Sequence, residues 1–218
     1  MLILALDTAA PATSVALHDG SAVLAAVSRP GAMSHGELLA PAVAEVLATA
    51  GADRRDVTDV AVGVGPGPFT GLRVGVVTAR TLAVSLGARL HGVCSLDVIA
   101  CQAVAEGVVD EAFVVATDAR RKEVYWAEYT PSGERVGDPD VLRPADLAVR
   151  LPASMPVVGR GAELYADVLH RVDGPTDPDA GVLASMVSSG TAVEIGTEPL
   201  YLRRPDATPA AARKRASA

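Results

Sequence analysis

Two apolar runs that each end on an aspartate constrain what this chain can fold into. Residues 2–6, LILAL, lead into Asp7, and residues 113–117, FVVAT, lead into Asp118. Continuous apolar runs of this length read as strands buried on both faces. After the first come a loop, DTAAPAT, and two strands, SVALHDG and AVLAAVSR, joined at Asp19-Gly20, a strong hairpin signal. A helix follows in SHGELLAPAVAEVLATAG, with Leu38, Leu39, Ala42, Val43, Val46 and Leu47 along one face. Ser34 and Glu37 have capping-box spacing, Gly51 is a stop signal, and Pro41 requires either a kink or a later start. Residues 57–64 and 89–94 read as further strands. A helix running to about Leu86 separates them, and SLDVIACQAVAEG makes a third helix.

Three antiparallel strands followed by parallel strands with crossover helices is the ribonuclease-H-like succession. The pattern begins again near residue 111. EVYWAEYTPSGER supplies a strand and a turn, residues 135–142 a third strand, and Pro144 to Pro152 brackets a helix. PVVGRG reads as the next strand, GAELYADVLHRVDG as its helix and GVLASMVSS as a last helix. The expected class is therefore α/β: two tandem ribonuclease-H-like subdomains with mixed sheets, β-β-β-α-β-α-β-α repeated in degenerate form. The expected divisions are an N-terminal subdomain at residues 1–109, a smaller degenerate C-terminal one at 110–203, and a basic tail at 204–218. That tail lacks apolar periodicity and reads as disordered.

Charge narrows the partners. The 218 residues sum to −7, and from Arg203 onward five basic residues and one acidic give +4, leaving −11 on residues 1–202. Such an acidic body argues against non-specific nucleic-acid binding by the chain alone. Aromatics make up 3% of the chain, too few for a base-stacking platform. The opening MLILALD lacks the basic start of a secretory signal, and no uncharged apolar stretch reaches the roughly 18 residues of a membrane span. Cys94 and Cys101 on one helix would lie about 10 Å apart along its axis, too far for a disulfide. The reading is a cytoplasmic chain with no membrane partner.

A duplicated fold of this kind resembles the actin/Hsp70/sugar-kinase (ASKHA) superfamily, which implies a cleft between the halves. Asp7 and Asp118 would stand at its mouth, where paired carboxylates hold hydrated magnesium on a nucleotide. Gly159 and Gly161 would either receive an adenine or ribose or simply make a tight turn. The loops after the two aspartates, Thr8-Ala9-Ala10-Pro11 and Ala119-Arg120-Arg121, contain no glycine for close phosphate approach. The cleft is thus a degenerate nucleotide site: ATP or ADP remains an option there, and no cofactor is required.

The densest motif is GVGPGPFTGLRVG, residues 63–75. It is not a Walker loop, since no Lys-Ser or Lys-Thr follows, and its glycine spacing is one residue too long for the dinucleotide fingerprint. Thr70 is a candidate N-cap, and Gly71, Gly75 and Ala79 form a small-residue stripe that permits close approach of another element. No serine-nucleophile elbow or cysteine–histidine signature appears. His35 is followed four residues later by Leu39, so no second imidazole shares its helical face to complete a metal site. Arg120, Arg121 and Lys122 read as a solvated hairpin corner. We expect no catalytic and no metal-binding residues.

ALDTAAPATSVAL, SHGELLAP, GVGPGPFTGLRVG, TDARRKEVYWAEY and PLYLRR, in that order, resemble the TsaB (YeaZ-like) family. Pro68 stands where the family usually has serine. The resemblance implies a pseudoenzyme that dimerises with and activates the TsaD transferase. Together with TsaE and a TsaC-type synthase, TsaD forms threonylcarbamoyladenosine at position 37 of tRNAs reading A-starting codons. It implies that tRNA is met through the complex, that the isolated chain forms a homodimer, and that contact is made by the first two helices. The implied interface residues are Leu38, Leu39, Val43, Phe69, Gly71, Leu72, Gly75, Ala79 and Leu82. The alternatives are a nucleotide-sensing module or, further off, an independent ATP-dependent kinase or a metallopeptidase. The kinase would need a phosphate cradle and the peptidase a complete metal site.

Overall fold

A computed structural model describes residues 1–31 and 35–203. The Ser34–Glu37 capping pair and the 204–218 tail therefore fall outside the described residues. The first half runs β1 (Ile3–Asp7), β2 (Ala12–His18), β3 (Val23–Pro30), α1 (His35–Ala50), β4 (Asp59–Gly63), α2 (Phe69–Leu86), β5 (Arg89–Val93) and α3 (Ser95–Ala105). The second runs β6 (Phe113–Asp118), β7 (Val124–Tyr129), β8 (Arg135–Leu142), α4 (Pro144–Arg150), β9 (Val157–Val158), α5 (Arg160–Leu164) and α6 (Ala180–Ser189). Strand order is β3-β2-β1-β4-β5 in one sheet and β8-β7-β6-β9 in the other. In both, the first three strands are antiparallel and the next joins the first in parallel. The expected pair of ribonuclease-H-like units is what the chain forms.

The apolar run of β1 is continuous because both of its faces are covered. Leu4 and Leu6 face α1 and α2, while Ile3 and Ala5, one residue out of phase, face α6 and α3. The halves interlock by exchanging helices. From the first half, α3 lays Leu96, Ile99, Ala100 and Ala103 against Phe113, Val115, Ala127 and Tyr129 of the second sheet. From the second half, α6 packs Ala180, Leu183 and Ala184 against the first sheet.

Several local expectations give way to tertiary demands. The helix α1 spans His35–Ala50 with Pro41 inside it, so it does not wait for the proline to begin. Thr70 does not cap α2, because the helix opens one residue earlier at Phe69 with Pro68 in the cap position. The helix expected over residues 161–174 stops at Leu164. The following chain turns back instead, so that Val157 receives and donates backbone hydrogen bonds through His170 and Val172. By length and mean hydropathy α2 would pass for a membrane span, yet Leu72, Val76, Ala79 and Ala83 are packed in the core.

The chain beyond α6 forms a strap along the edge of the first sheet. Glu194 bridges to Val93, and its carboxylate is 2.7 Å from His91 Nδ1, while His91 Nε2 reaches Asp59 at 2.8 Å. Further on, Leu200 N donates to Val64 O at 2.8 Å, and the Tyr201 ring lies 4.9 Å from that of Phe69. At Arg203, Nη1 donates to Ala119 O at 3.0 Å and the guanidinium ion-pairs with Glu123. The strap thereby ties the first sheet to the β6–β7 turn.

Candidate functional site

The GVGPGPFTGLRVG motif and the DTAA loop turn out to be each other's packing partners. A Cβ on Gly67 would meet Ala9 O at 2.3 Å, one on Gly71 would meet Thr8 O at 2.5 Å, and one on Gly75 would meet Thr8 Oγ1 at 2.3 Å. The three glycines recur at four-residue spacing because α2 and its leading loop press directly onto the end of β1. Thr8 Oγ1 donates back to Gly71 O at 2.8 Å, closing the contact. Gly75 therefore faces the end of the protein's own first strand, and any side chain placed there tests that packing. Even Gly75→Ala is expected to lower stability by about 2–3 kcal/mol. Adding Thr8→Ala, which removes the clashing oxygen, should recover a good part of the loss. Additive losses in chemical denaturation would contradict this contact.

The same interlock seals Asp7. Its side chain is 1% exposed, Oδ1 accepts from Ala9 N at 2.7 Å, and Oδ2 accepts from Ser95 Oγ at 2.6 Å. Gly63 sits so close that a Cβ there would overlap the carboxylate. Burial pushes the Asp7 carboxyl up to about 7 despite the two hydrogen bonds, with the nearby Asp177 charge adding to the rise. Ser95 has no signal in the sequence beyond standing at a helix start.

Asp118, by contrast, reaches the space between the halves. Its Oδ1 accepts from Arg120 N at 2.8 Å, and the Arg120 guanidinium is 3.4 Å from Oδ2. That space is lined by Ala9, Pro11 and Pro68 from one side and Asp118, Arg120, Arg160 and Asp177 from the other, and it encloses about 10 Å³. This is room for about one water molecule, where small-ligand pockets run to several hundred Å³. Arg160 fills it in a two-point pairing with Asp177, Nε–Oδ1 2.9 Å and Nη2–Oδ2 2.5 Å. Gly159 and Gly161 do not open onto a ligand space: Cβ atoms on them would lie 2.3 and 2.9 Å from Ala116 O, so both serve the packing of α5 on β6. With Asp7 sealed and its neighbours paired, the residues present do not fit a magnesium-bound nucleotide in this arrangement. Among the described residues, no three His, Cys, Asp or Glu side chains gather as metal ligands. His35, the lone imidazole of α1, is buried and shares a 2.7 Å hydrogen bond with Thr13.

The residues assigned to an interface divide into two groups. Leu39, Gly71, Leu72, Gly75 and Ala79 are buried in the chain's own core, and Val43, also buried, lines the groove between α1 and α2. Leu38, Phe69 and Leu82 are partly exposed. Between α1 and α2 runs a groove of about 550 Å³, lined by Ala40, Ala44, Leu47, Thr78, Leu82 and Ser85. Val77 and Val84 on α2 are 59% and 85% exposed, an unusual display of apolar surface on one helix.

The chain is similar to several known proteins. A family profile described as TsaD, tRNA N6-adenosine threonylcarbamoyltransferase, matches residues 29–198. The protein named tRNA threonylcarbamoyladenosine biosynthesis protein TsaB from Escherichia coli is 33% identical over 223 residues, covering 93% of this chain and 95% of that one. The chain belongs to the TsaB (YeaZ-like) family. Another relative of this TsaB-family chain, an uncharacterized protein of Mycobacterium tuberculosis, is 39% identical over 212 residues, 96% of this chain and 95% of its own. The solved structure of YeaZ from Pseudomonas aeruginosa superimposes with a TM-score of 0.78 at 31% identity, covering 92% of the TsaB-family chain and 99% of that structure.

Proposed function

We propose that this chain is the non-catalytic partner of the TsaD transferase in forming threonylcarbamoyladenosine at position 37 of tRNAs reading A-starting codons. It pairs with TsaD through α1 and α2 and so activates it, with TsaE in the complex and a TsaC-type synthase supplying the activated threonylcarbamoyl group. The tRNA is engaged by the complex rather than by this chain alone.

The observation that carries this reading is the match over nearly the whole chain to proteins named TsaB. Two structural features support its parts. The sealed Asp7 and the filled cleft favour a subunit without phosphoryl or metal chemistry of its own. The largely apolar groove between α1 and α2 suits a helical partner surface, and without that partner the same surface pairs two copies of the chain. Sedimentation velocity of the chain alone and mixed with TsaD tests the pairing. A homodimer that gives way to a one-to-one species is expected; separate boundaries at micromolar concentrations would count against it.

A further inference from the structure

A cavity of about 630 Å³ lies between α3, the β7–β8 hairpin and the end of α6. It shares no lining residue with the space beside Asp118 or with the α1–α2 groove. Its walls bring together Asp97 and Val104 of α3, Glu134 and Arg135 of the hairpin, Met186 of α6 and Val193 of the strap. The volume is that of an ordinary small-ligand pocket.

The wall is held in shape without a ligand. In the hairpin, Thr130 N donates to Glu134 O at 2.9 Å, and Glu134 N donates to Thr130 Oγ1 at 3.1 Å. The turn rests closely on α3, since a Cβ on Gly133 would meet Val104 Cγ2 at 3.3 Å. Asp97 is fixed in turn by Tyr129, whose hydroxyl donates to Oδ1 at 2.8 Å.

One ion pair is set into this wall. Arg135 Nη1 lies 3.4 Å from Asp97 Oδ1, and the two side chains are only 15% and 9% exposed. Nη1 is buried and finds no hydrogen-bond acceptor among the described residues. A buried ion pair seldom stabilises a fold more than apolar side chains of the same volume would, and a buried donor without an acceptor is costly. An acceptor brought into the cavity relieves that cost.

The acceptor has to come without net negative charge. Asp97 already stands beside Arg135, and Glu134 adds a second carboxylate to the lining, so a simple anion would meet two like charges. A molecule that carries a cation next to its acceptor satisfies both the arginine and the carboxylates. Val104, Met186 and Val193 offer an apolar stretch for the rest of it.

We propose that this cavity binds a free α-amino acid with an aliphatic side chain. Its carboxylate meets Arg135, its ammonium group meets Asp97 and Glu134, and its side chain lies on the apolar stretch. The site belongs to this chain alone and is independent of pairing with TsaD.

The test is titration calorimetry of the full chain with L-leucine, isocaproate, which lacks the amine, and isoamylamine, which lacks the carboxylate. L-leucine is expected to bind with a Kd of about 1 mM or tighter, and each truncated probe about 10-fold more weakly. A second readout is Cys101, which lines the cavity and is partly buried, whereas Cys94 is fully buried. Saturating L-leucine should slow alkylation of Cys101 by iodoacetamide about 5-fold or more. Two variants locate the site. Val193→Trp fills the cavity from a position 61% exposed, so the core is left alone. Asp97→Asn with Arg135→Met removes both charges together and leaves neither unpaired. Each should weaken L-leucine about 10-fold or more, and the tryptophan variant keeps the test decisive if the double variant fails to fold. No heat and no protection of Cys101 at about 10 mM L-leucine overturn the proposal. Undiminished binding by a folded Val193→Trp chain also overturns it, since the ligand would then sit elsewhere. Isocaproate or isoamylamine binding as tightly as L-leucine overturns the amino-acid assignment.

Discussion

A chain carrying Ala44→Arg and Ser85→Arg is expected to lose pairing with TsaD by about 100-fold or more in Kd, equivalent to about 3 kcal/mol. Both residues are exposed, and they line the α1–α2 groove from its two facing helices. Each substitution adds a long charged side chain to a helix surface without disturbing the core, so the melting temperature should move by no more than about 3 °C. The two arginines would stand in the space an apolar partner surface must enter, and burying them unpaired is costly. The proposed homodimer of the isolated chain should weaken in parallel, since the proposal gives both pairings the same groove. The measurement is titration calorimetry with TsaD, with sedimentation for the homodimer. Unimpaired binding by a folded variant would move the interface away from these helices. The choice of residues matters, because Leu72, Gly75 and Ala79 face inward and variants there report on folding.

Asp7→Asn should leave the protein more stable than the native chain at alkaline pH. Burial raises the Asp7 carboxyl from the ordinary 3.8 to about 7. A carboxyl whose folded-state value lies above its unfolded one holds its proton more tightly when folded. Its contribution to stability is therefore fully present below about pH 3.8 and is lost as pH rises through about 7. Asparagine cannot ionise, and its geometry suits the same neighbours: its oxygen accepts from Ala9 N, and its amide donates to Ser95 Oγ. The stability difference in favour of Asn should thus grow by about 3 kcal/mol between pH 4.5 and pH 8 and then level off. Denaturant titrations across that range give the curve. A difference that stays flat with pH would mean that the carboxylate is not held in a dry site. The variant should also retain its effect on TsaD, because a sealed side chain has no metal or nucleotide to hold.

Much of this architecture is legible in the residues, and the exceptions share one cause. The runs ending at Asp7 and Asp118 announce paired β1 and β6, since a strand covered on both faces has no polar alternation to hide it. Periodicity also marks α6 as a helix with an apolar face. It does not say which sheet that face meets, and the helix crosses to the first sheet rather than its own. The small-residue stripe at Gly71, Gly75 and Ala79 announces close approach but not its object, which is Thr8, a residue distant in sequence. Likewise the helix over residues 161–174 is locally favourable, and it yields at Tyr165 because the short strand β9 gains backbone hydrogen bonds from the returning chain. In the cleft, the aspartates are found from pattern alone. That one is sealed by Ser95 and the other faces Arg120 follows from contacts between distant segments, which no local spacing encodes.

The central claim is that this chain is required for the transferase reaction but performs none of the chemistry. Its most direct test is a reconstitution from purified TsaD, TsaE, synthase, threonine, bicarbonate, ATP and tRNA, with and without this chain, in which modified adenosine is counted. Modification that depends on the chain, with none from the chain and tRNA alone, is the predicted result. Equal modification in its absence would contradict the claim.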